Sequence, residues 1–324
     1  MKSFAVTQGP ARKIAVLTDF SPCSSSALNH AIRLASYSNG KVFLIHAIEP
    51  WTYACLPDEA QMEQQLCNRA RWNMLREEEK LRDLRHEVIV QHGRPWDVLC
   101  RVVESEHIDM VVFGTIGMVG FHNDEVLGST AEQVIRQAPC PVLSVGSEVA
   151  VKDSFPDFSQ VLFPTDLSGG VETAFGWAHS FAERHRARLA LMHVVPAHGP
   201  AESVEAESLK APYRRRLVDM LRRPAKLNYP PDCLVDFAET PANAVVKTAR
   251  ELSADVIVMG KVQRNHAGTN GQVHNWLPIL MQAPCPVLTV PEKNGFQIGK
   301  NPGPQEGVFY LGQPEGSGRI AHGL

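Results

Sequence analysis

The sequence is short of several things, and each absence narrows what the chain can be. No apolar run approaches the roughly 20 residues needed to cross a bilayer. The first residues, MKSFAVTQGPARK, lack the hydrophobic segment of a secretory signal. Neither sign of charge dominates: 32 Lys and Arg stand against 35 Asp and Glu, a formal net charge of −3. That balance offers no electrostatic attraction to nucleic acid or to an acidic membrane. The seven cysteines are scattered without one Cys-x-x-Cys pair, which argues for reduced thiols in a cytosol and against a zinc site. Neither the Gly-Lys-Ser/Thr of a P-loop nor a Gly-x-Ser-x-Gly elbow occurs. A cytoplasmic protein with no nucleic-acid or membrane partner is the expectation.

What is present is a chain of 324 residues, 44% apolar and 21% charged, long enough for two domains. Lys13 to Thr18 reads as a buried strand, and Ser21-Pro22 as the cap and first position of a helix with an Ala27, Ala31, Leu34 and Ala35 face. Asn39-Gly40 stops that helix, and Val42 to Ile48 is the next strand. Asp58 to Leu84 reads as a long helix with a solvated Glu77-Glu78-Glu79-Lys80 face. Glu87 to Val90 is a strand, Gly93 a turn and Pro95 to Glu106 a helix. Strands alternating with helices imply right-handed crossovers and a parallel sheet covered on both faces.

The stretch from Met110 to Val145 carries the chemistry. An apolar strand breaks at Gly114 into a loop with Gly117, Gly120 and Gly128, Gly128-Ser129-Thr130 opens a helix, and Pro139-Cys140-Pro141 leads into the strand Val142 to Val145. Such a turn suits phosphate. Glycine permits positive φ and close backbone approach, and the helix start adds free N–H donors, a positive dipole end and, here, two hydroxyls.

The pattern then repeats at an offset of 145 to 147 residues. Thr165-Asp166-Leu167-Ser168 restates Thr18-Asp19-Phe20-Ser21, His193 restates His46, and Ala283-Pro284-Cys285-Pro286-Val287-Leu288 restates Ala138-Pro139-Cys140-Pro141-Val142-Leu143. Two whole domains in tandem follow. Their expected limits are 13–147 and 159–291, after an extension 1–12 and before a Gly- and Pro-rich tail 292–324 expected to be flexible.

Together these features resemble the universal stress proteins in their tandem form, over nearly the whole span from Lys13 to Pro291. The resemblance implies an α/β fold of two doubly wound, five-stranded parallel sheets whose strand order reverses beside the first strand. Ligands in such sheets bind at the carboxyl ends of the strands, at that switch point. It also implies that the fifth strands pair antiparallel, making the tandem its own pseudo-dimer, with a homodimer of chains and an unknown protein partner as further options.

Some members of the family hold ATP, with a pattern of Gly, two residues, Gly, nine residues, Gly, then Ser or Thr. By resemblance the residues holding an adenine nucleotide are Thr18, Asp19, Ala47, Phe113, Gly114, Gly117, Gly128, Ser129 and Thr130. Here ten residues, Met118 to Leu127, separate Gly117 from Gly128, and the loop carries His122, Asp124 and Glu125 but no Lys or Arg. In the second domain Gly260 remains, but Gln263 and Val273-His274 replace the later glycines, so that pocket is expected to be degenerate. Lys261, Arg264, His266 and His274 there read as a solvated basic loop, or as sites for another anion.

Asp19 has two readings: a hydrogen-bond acceptor at the adenine end of the nucleotide, or a cap for the following helix. His46 and His193 read as satisfied core histidines, and Cys140 and Cys285 as packing residues without redox roles. No catalytic residue or metal ligand set emerges; Asp124 and Glu125 suit either a Mg²⁺ accompanying ATP or a polar loop. The expected function is ATP binding in a stress or signalling role with slow or no hydrolysis. A scaffold with empty crevices and an adenine-nucleotide hydrolase are the alternatives.

Overall fold

The computed structural model describes residues 11–50, 58–117, 127–149, 158–168, 171–196, 204–221, 227–261, 276–292 and 308–310. The first repeat runs β1 (Lys13–Leu17), α1 (Pro22–Ser38), β2 (Lys41–Ile48), α2 (Glu59–Glu78), β3 (Arg85–His92), α3 (Pro95–Glu106), β4 (Met110–Gly114), α4 (Ser129–Gln137) and β5 (Val142–Val145). The second runs β6 (Gln160–Pro164), α5 (Val171–His185), β7 (Arg188–Pro196), α6 (Val204–Met220), β8 (Asp232–Ala238), α7 (Pro241–Glu251), β9 (Val256–Gly260), α8 (Trp276–Gln282) and β10 (Val287–Val290).

Local chemistry sets the element ends. Ser21 caps α1 with extended backbone and accepts from the Ser24 N–H at 3.2 Å, while Pro22 fills the first position. Asn39 ends the helix in the left-handed region, at φ 49°. The long helix stops sooner than its periodicity suggests: α2 ends at Glu78 and a 3-10 turn, Glu79–Leu81, follows. Conversely β3 extends beyond the apolar Glu87–Val90 run in both directions, because all eight of its residues pair with β2.

Within the halves the strand orders are β3-β2-β1-β4-β5 and β8-β7-β6-β9-β10, each reversing beside its first strand. The central strands β1, β4 and β5 are buried on both faces, so they read as unbroken apolar runs. One core layer joins Ile14, Val16, Leu44 and Val112 to Leu28 of α1, Met74 of α2, Phe181 of α5 and Leu217 of α6. The opposite layer joins Ala15, Phe43, Ile45 and Val111 to Leu99 of α3, Val134 of α4, Val245 of α7 and Leu280 of α8. Both layers run through both halves.

They do so because β5 and β10 pair antiparallel, fusing the halves into one sheet. The join is pseudo-symmetric: Ser144 Oγ donates to the Val287 carbonyl at 3.0 Å, and Thr289 Oγ1 donates to that of Val142 at 3.3 Å. Each half covers what would otherwise be the other's exposed edge. Asp109 and Asp255 perform one further repeated task. Asp109 Oδ2 accepts from the Arg12 and Lys13 N–H groups, and Asp255 Oδ2 from those of Ser159 and Gln160, clamping the start of each first strand at 2.8–3.0 Å. Within the tail expected to be flexible, β11 (Val308–Tyr310) pairs antiparallel with β3.

Candidate functional site

The site is assembled where β1 and β4 lie side by side at their carboxyl ends, with β2 flanking β1. Thr18 is buried and locally engaged. Its hydroxyl accepts from the Phe20 N–H at 3.0 Å and lies 3.1 Å from Ser24 Oγ, while its carbonyl meets His46 Nδ1 at 2.8 Å. These bonds hold Phe20 in the left-handed region at φ 65°, a conformation costing a bulky residue roughly 1–2 kcal/mol. The chain therefore turns sharply just after Asp19, leaving its carboxylate exposed at the mouth of the crevice.

Asp19 is not the helix cap; Ser21 takes that role. Asp19 Oδ1 instead accepts from the Ser21 N–H at 3.1 Å, and Oδ2 lies against Gly117, 2.7 Å from where a Cβ there would stand. Ser21 Oγ also donates to the Ile116 carbonyl at 3.3 Å, tying the two loops together. The far end of the glycine loop is closed by the Gly128 N–H donating to the Thr115 carbonyl at 3.2 Å. So Asp19, Gly114, Gly117 and Gly128 are brought together, with Ser129 and Thr130 opening α4 beside them. Among the described residues, Gly128 at the N-cap brings no side chain to the first N–H groups of α4.

Two further expected residues lie on the strands that flank β1. The Phe113 side chain is buried in the core, so only its backbone is available to a ligand. Ala47 lies one strand away on β2, paired with Gln91 of β3. Of the two uses expected of glycine, Gly114, Gly117 and Gly128 do not use positive φ, and Gly93 alone among the described glycines does. Gly114 is needed for close approach, while Gly117 lies against the end of the Asp19 side chain. A Cβ on Gly114 would meet the Cys23 carbonyl carbon, Cys23 Cβ and Ser24 N at 2.7 Å. Packing the end of β4 under the start of α1 demands the missing side chain.

His46 is held neutral by burial, which lowers its pKa against the opposing pull of the Thr18 carbonyl and Asp19. It packs against Phe20 with centroids 4.4 Å apart. His193 bonds the Thr165 carbonyl in the same way at 2.8 Å and stacks on Tyr213. Burial pushes the Cys140 and Cys285 thiols up to about 12, in keeping with packing residues. Lys261 does not sit in a solvated loop. It is half-buried near Cys140, and burial lowers its pKa to about 8. Gly120, His122, Asp124 and Glu125, and in the second repeat Gln263, Arg264, His266, Val273 and His274, lie outside the described residues. Among the described residues no group of three or more His, Cys, Asp or Glu is arranged to hold a metal ion, and no helix is long and apolar enough to cross a membrane. Sequence reasoning missed Thr115 and Ile116, whose backbone carbonyls tie the loop; main-chain roles leave no trace in residue type.

The universal stress protein family model matches residues 10–146 and again 157–291. A universal stress protein of Methanocaldococcus jannaschii is 30% identical over 139 residues, 41% of this chain and 81% of its own length. Universal stress protein A homolog 1 of Coxiella burnetii is 30% identical over 146 residues, 41% of this chain and 95% of its own. The crystal structure of a universal stress protein from Archaeoglobus fulgidus superposes with a TM-score of 0.63 at 17% identity, covering 87% of this chain and 98% of that one. This last likeness is one of fold.

Proposed function

Because the chain belongs to the universal stress protein family, with both repeats matched, we propose that its first domain binds an adenine nucleotide, ATP foremost, at the β1/β4 switch point. The observation that carries this reading is the seating of the Asp19 carboxylate against Gly117, with the start of α4 tied to the same loop. Asp19 would accept from the adenine end. The N–H groups at the first turn of α4, with the Ser129 and Thr130 hydroxyls, would hold the phosphates.

Binding with slow or no turnover is the functional reading. The loop has no lysine to reach the terminal phosphates, and phosphoryl transfer needs a placed metal and an oriented nucleophile beyond a cradle. A stress-signalling role in the cytoplasm accompanies this reading, with an unidentified protein as the recipient of the signal. The same lack of Lys or Arg between Thr115 and Leu127 favours the second reading, a scaffold without nucleotide. Thermal or urea unfolding with MgATP decides between them. At about 100 times Kd, linkage stabilises the first domain by roughly 2.7 kcal/mol. No shift with millimolar MgATP, and no nucleotide released when the purified protein is denatured, would favour the scaffold.

A further inference from the structure

A half-open cavity lies away from that crevice, beneath α2 and against the carboxyl ends of β2 and β3. It measures about 450 Å³ between Ile48, Val90 and the helix face that carries Glu63, Cys67 and Arg71. The three helix residues recur at a spacing of four, so carboxylate, thiol and guanidinium stand in line along one face. From the end of β3, His92 reaches toward the same place: its Nε2 is 3.8 Å from Cys67 Sγ and 3.8 Å from Glu63 Oε1. The nucleotide reading uses none of these groups.

We propose that Cys67 is a thiol-exchange site that forms a mixed disulfide with a small, carboxylate-bearing disulfide of the glutathione class. The step balances without an external oxidant. Cys67 Sγ attacks one sulfur of the incoming disulfide, the new S–S bond forms as the old one breaks, and the second half leaves as a thiol. His92 Nε2 takes the Cys67 proton and passes it to the departing thiolate; Glu63 steadies the ring while it is charged. Arg71 pairs with the substrate carboxylate, which its forked donors suit. A neighbouring base matters here. Burial, and after it Glu63, hold the Cys67 thiol above its ordinary value against the pull of Arg71, so the unassisted thiolate is scarce.

The protein contains its own comparison. Cys100 and Cys233 are also partly buried, with thiols raised by burial and by acidic neighbours and opposed by Arg101 and Arg214, so what Cys67 has besides is the approach of His92. The intact chain is treated with oxidised glutathione, with neutral bis(2-hydroxyethyl) disulfide or with cationic cystamine, and adducts are located by peptide mass spectrometry. Cys67 is expected to be modified about tenfold faster than Cys100 or Cys233, with glutathione preferred. His92→Gln should lower the Cys67 rate about fivefold and leave Cys233 unchanged, and Arg71→Ala should erase the preference for glutathione over the neutral reagent. Equal rates at the three cysteines of the unaltered chain overturn the proposal, whatever the variants do. So does a Cys67 rate indifferent to His92→Gln in a folded variant, or an internal Cys55–Cys67 disulfide, seen as the loss of two hydrogens in place of an adduct.

Discussion

The two repeats build the same turn and then diverge at the glycines. Leu167 donates to Thr165 Oγ1 at 3.0 Å and Ser168 to Asp166 Oδ1 at 2.9 Å, matching Phe20 to Thr18 and Ser21 to Asp19. Leu167 holds φ 59° where Phe20 holds 65°. The Thr-Asp-x-Ser turn therefore persists in the repeat whose later loop lacks the glycine pattern. It is a device for ending the first strand, and an aspartate in it is not by itself a sign of a ligand. The glycines differ in kind. Among the described residues a Cβ on Gly260 would meet only Ala174 Cβ, at an ordinary 3.6 Å, where one on Gly114 would strike backbone at 2.7 Å.

The sharpest way to break the comparison is to add the missing methyl to each. Gly114→Ala should cost about 3 kcal/mol in urea unfolding, because the start of α1 must move. Gly260→Ala should stay within about 0.5 kcal/mol. Equal costs would mean that the repeats pack alike. Next in size is the roughly 2.7 kcal/mol ligand stabilisation expected at about 100 times Kd. Gly117→Ala should abolish it by displacing the Asp19 carboxylate, whereas Gln263→Ala should leave it intact. If only the Gln263 variant loses the shift, the site belongs to the second repeat.

The repeats differ also at one buried helix position: His30 in α1 stands where Trp177 stands in α5, at the same 147-residue offset as the turn. Burial, and secondarily Arg33, lower the His30 pKa to about 4. A histidine whose folded pKa is depressed contributes fully above its unfolded value near 6.5, and that contribution is lost as pH falls toward the folded value. From about pH 7 to about pH 4.5 this one group should remove about 2 kcal/mol. His30→Gln should flatten that part of the acid limb relative to the parent, and parallel pH profiles would refute it. The smallest effect concerns the loop. Removing one residue between Met118 and Val126 restores nine-residue spacing and should tighten ATP binding about tenfold, or about 1.4 kcal/mol, by isothermal titration. A comparable weakening would mean that the extra residue is already accommodated and the register was correct.

Much of the scaffold was legible from residue order. Ser21-Pro22, Asn39 and the doubled Ala-Pro-Cys-Pro strands announced element ends and repeats, because caps and apolar runs act over a few residues. The candidate site was legible as a set of positions and less so as geometry. A glycine read from sequence does not reveal whether it serves φ or proximity, and here Gly114 serves proximity. Of the two readings of Asp19 the structure removes the cap, since Asp19 Oδ1 accepts from the Ser21 N–H while Ser21 caps α1. The Cys67–His92 approach was not legible at all: the residues are 25 apart, on a helix and a strand, and no short pattern links them.

By itself, then, the sequence determined the alternation of elements, the duplication and the presence of a glycine loop between β4 and α4, since these follow from local preference and burial periodicity. Tertiary structure decided the rest. The pairing of β5 with β10 made one sheet of two domains, Gly117 was set against Asp19, and a thiol was brought beside an imidazole. The physical reason is common to all three. Each depends on which surfaces meet when apolar faces are buried, and such meetings join residues far apart in the chain.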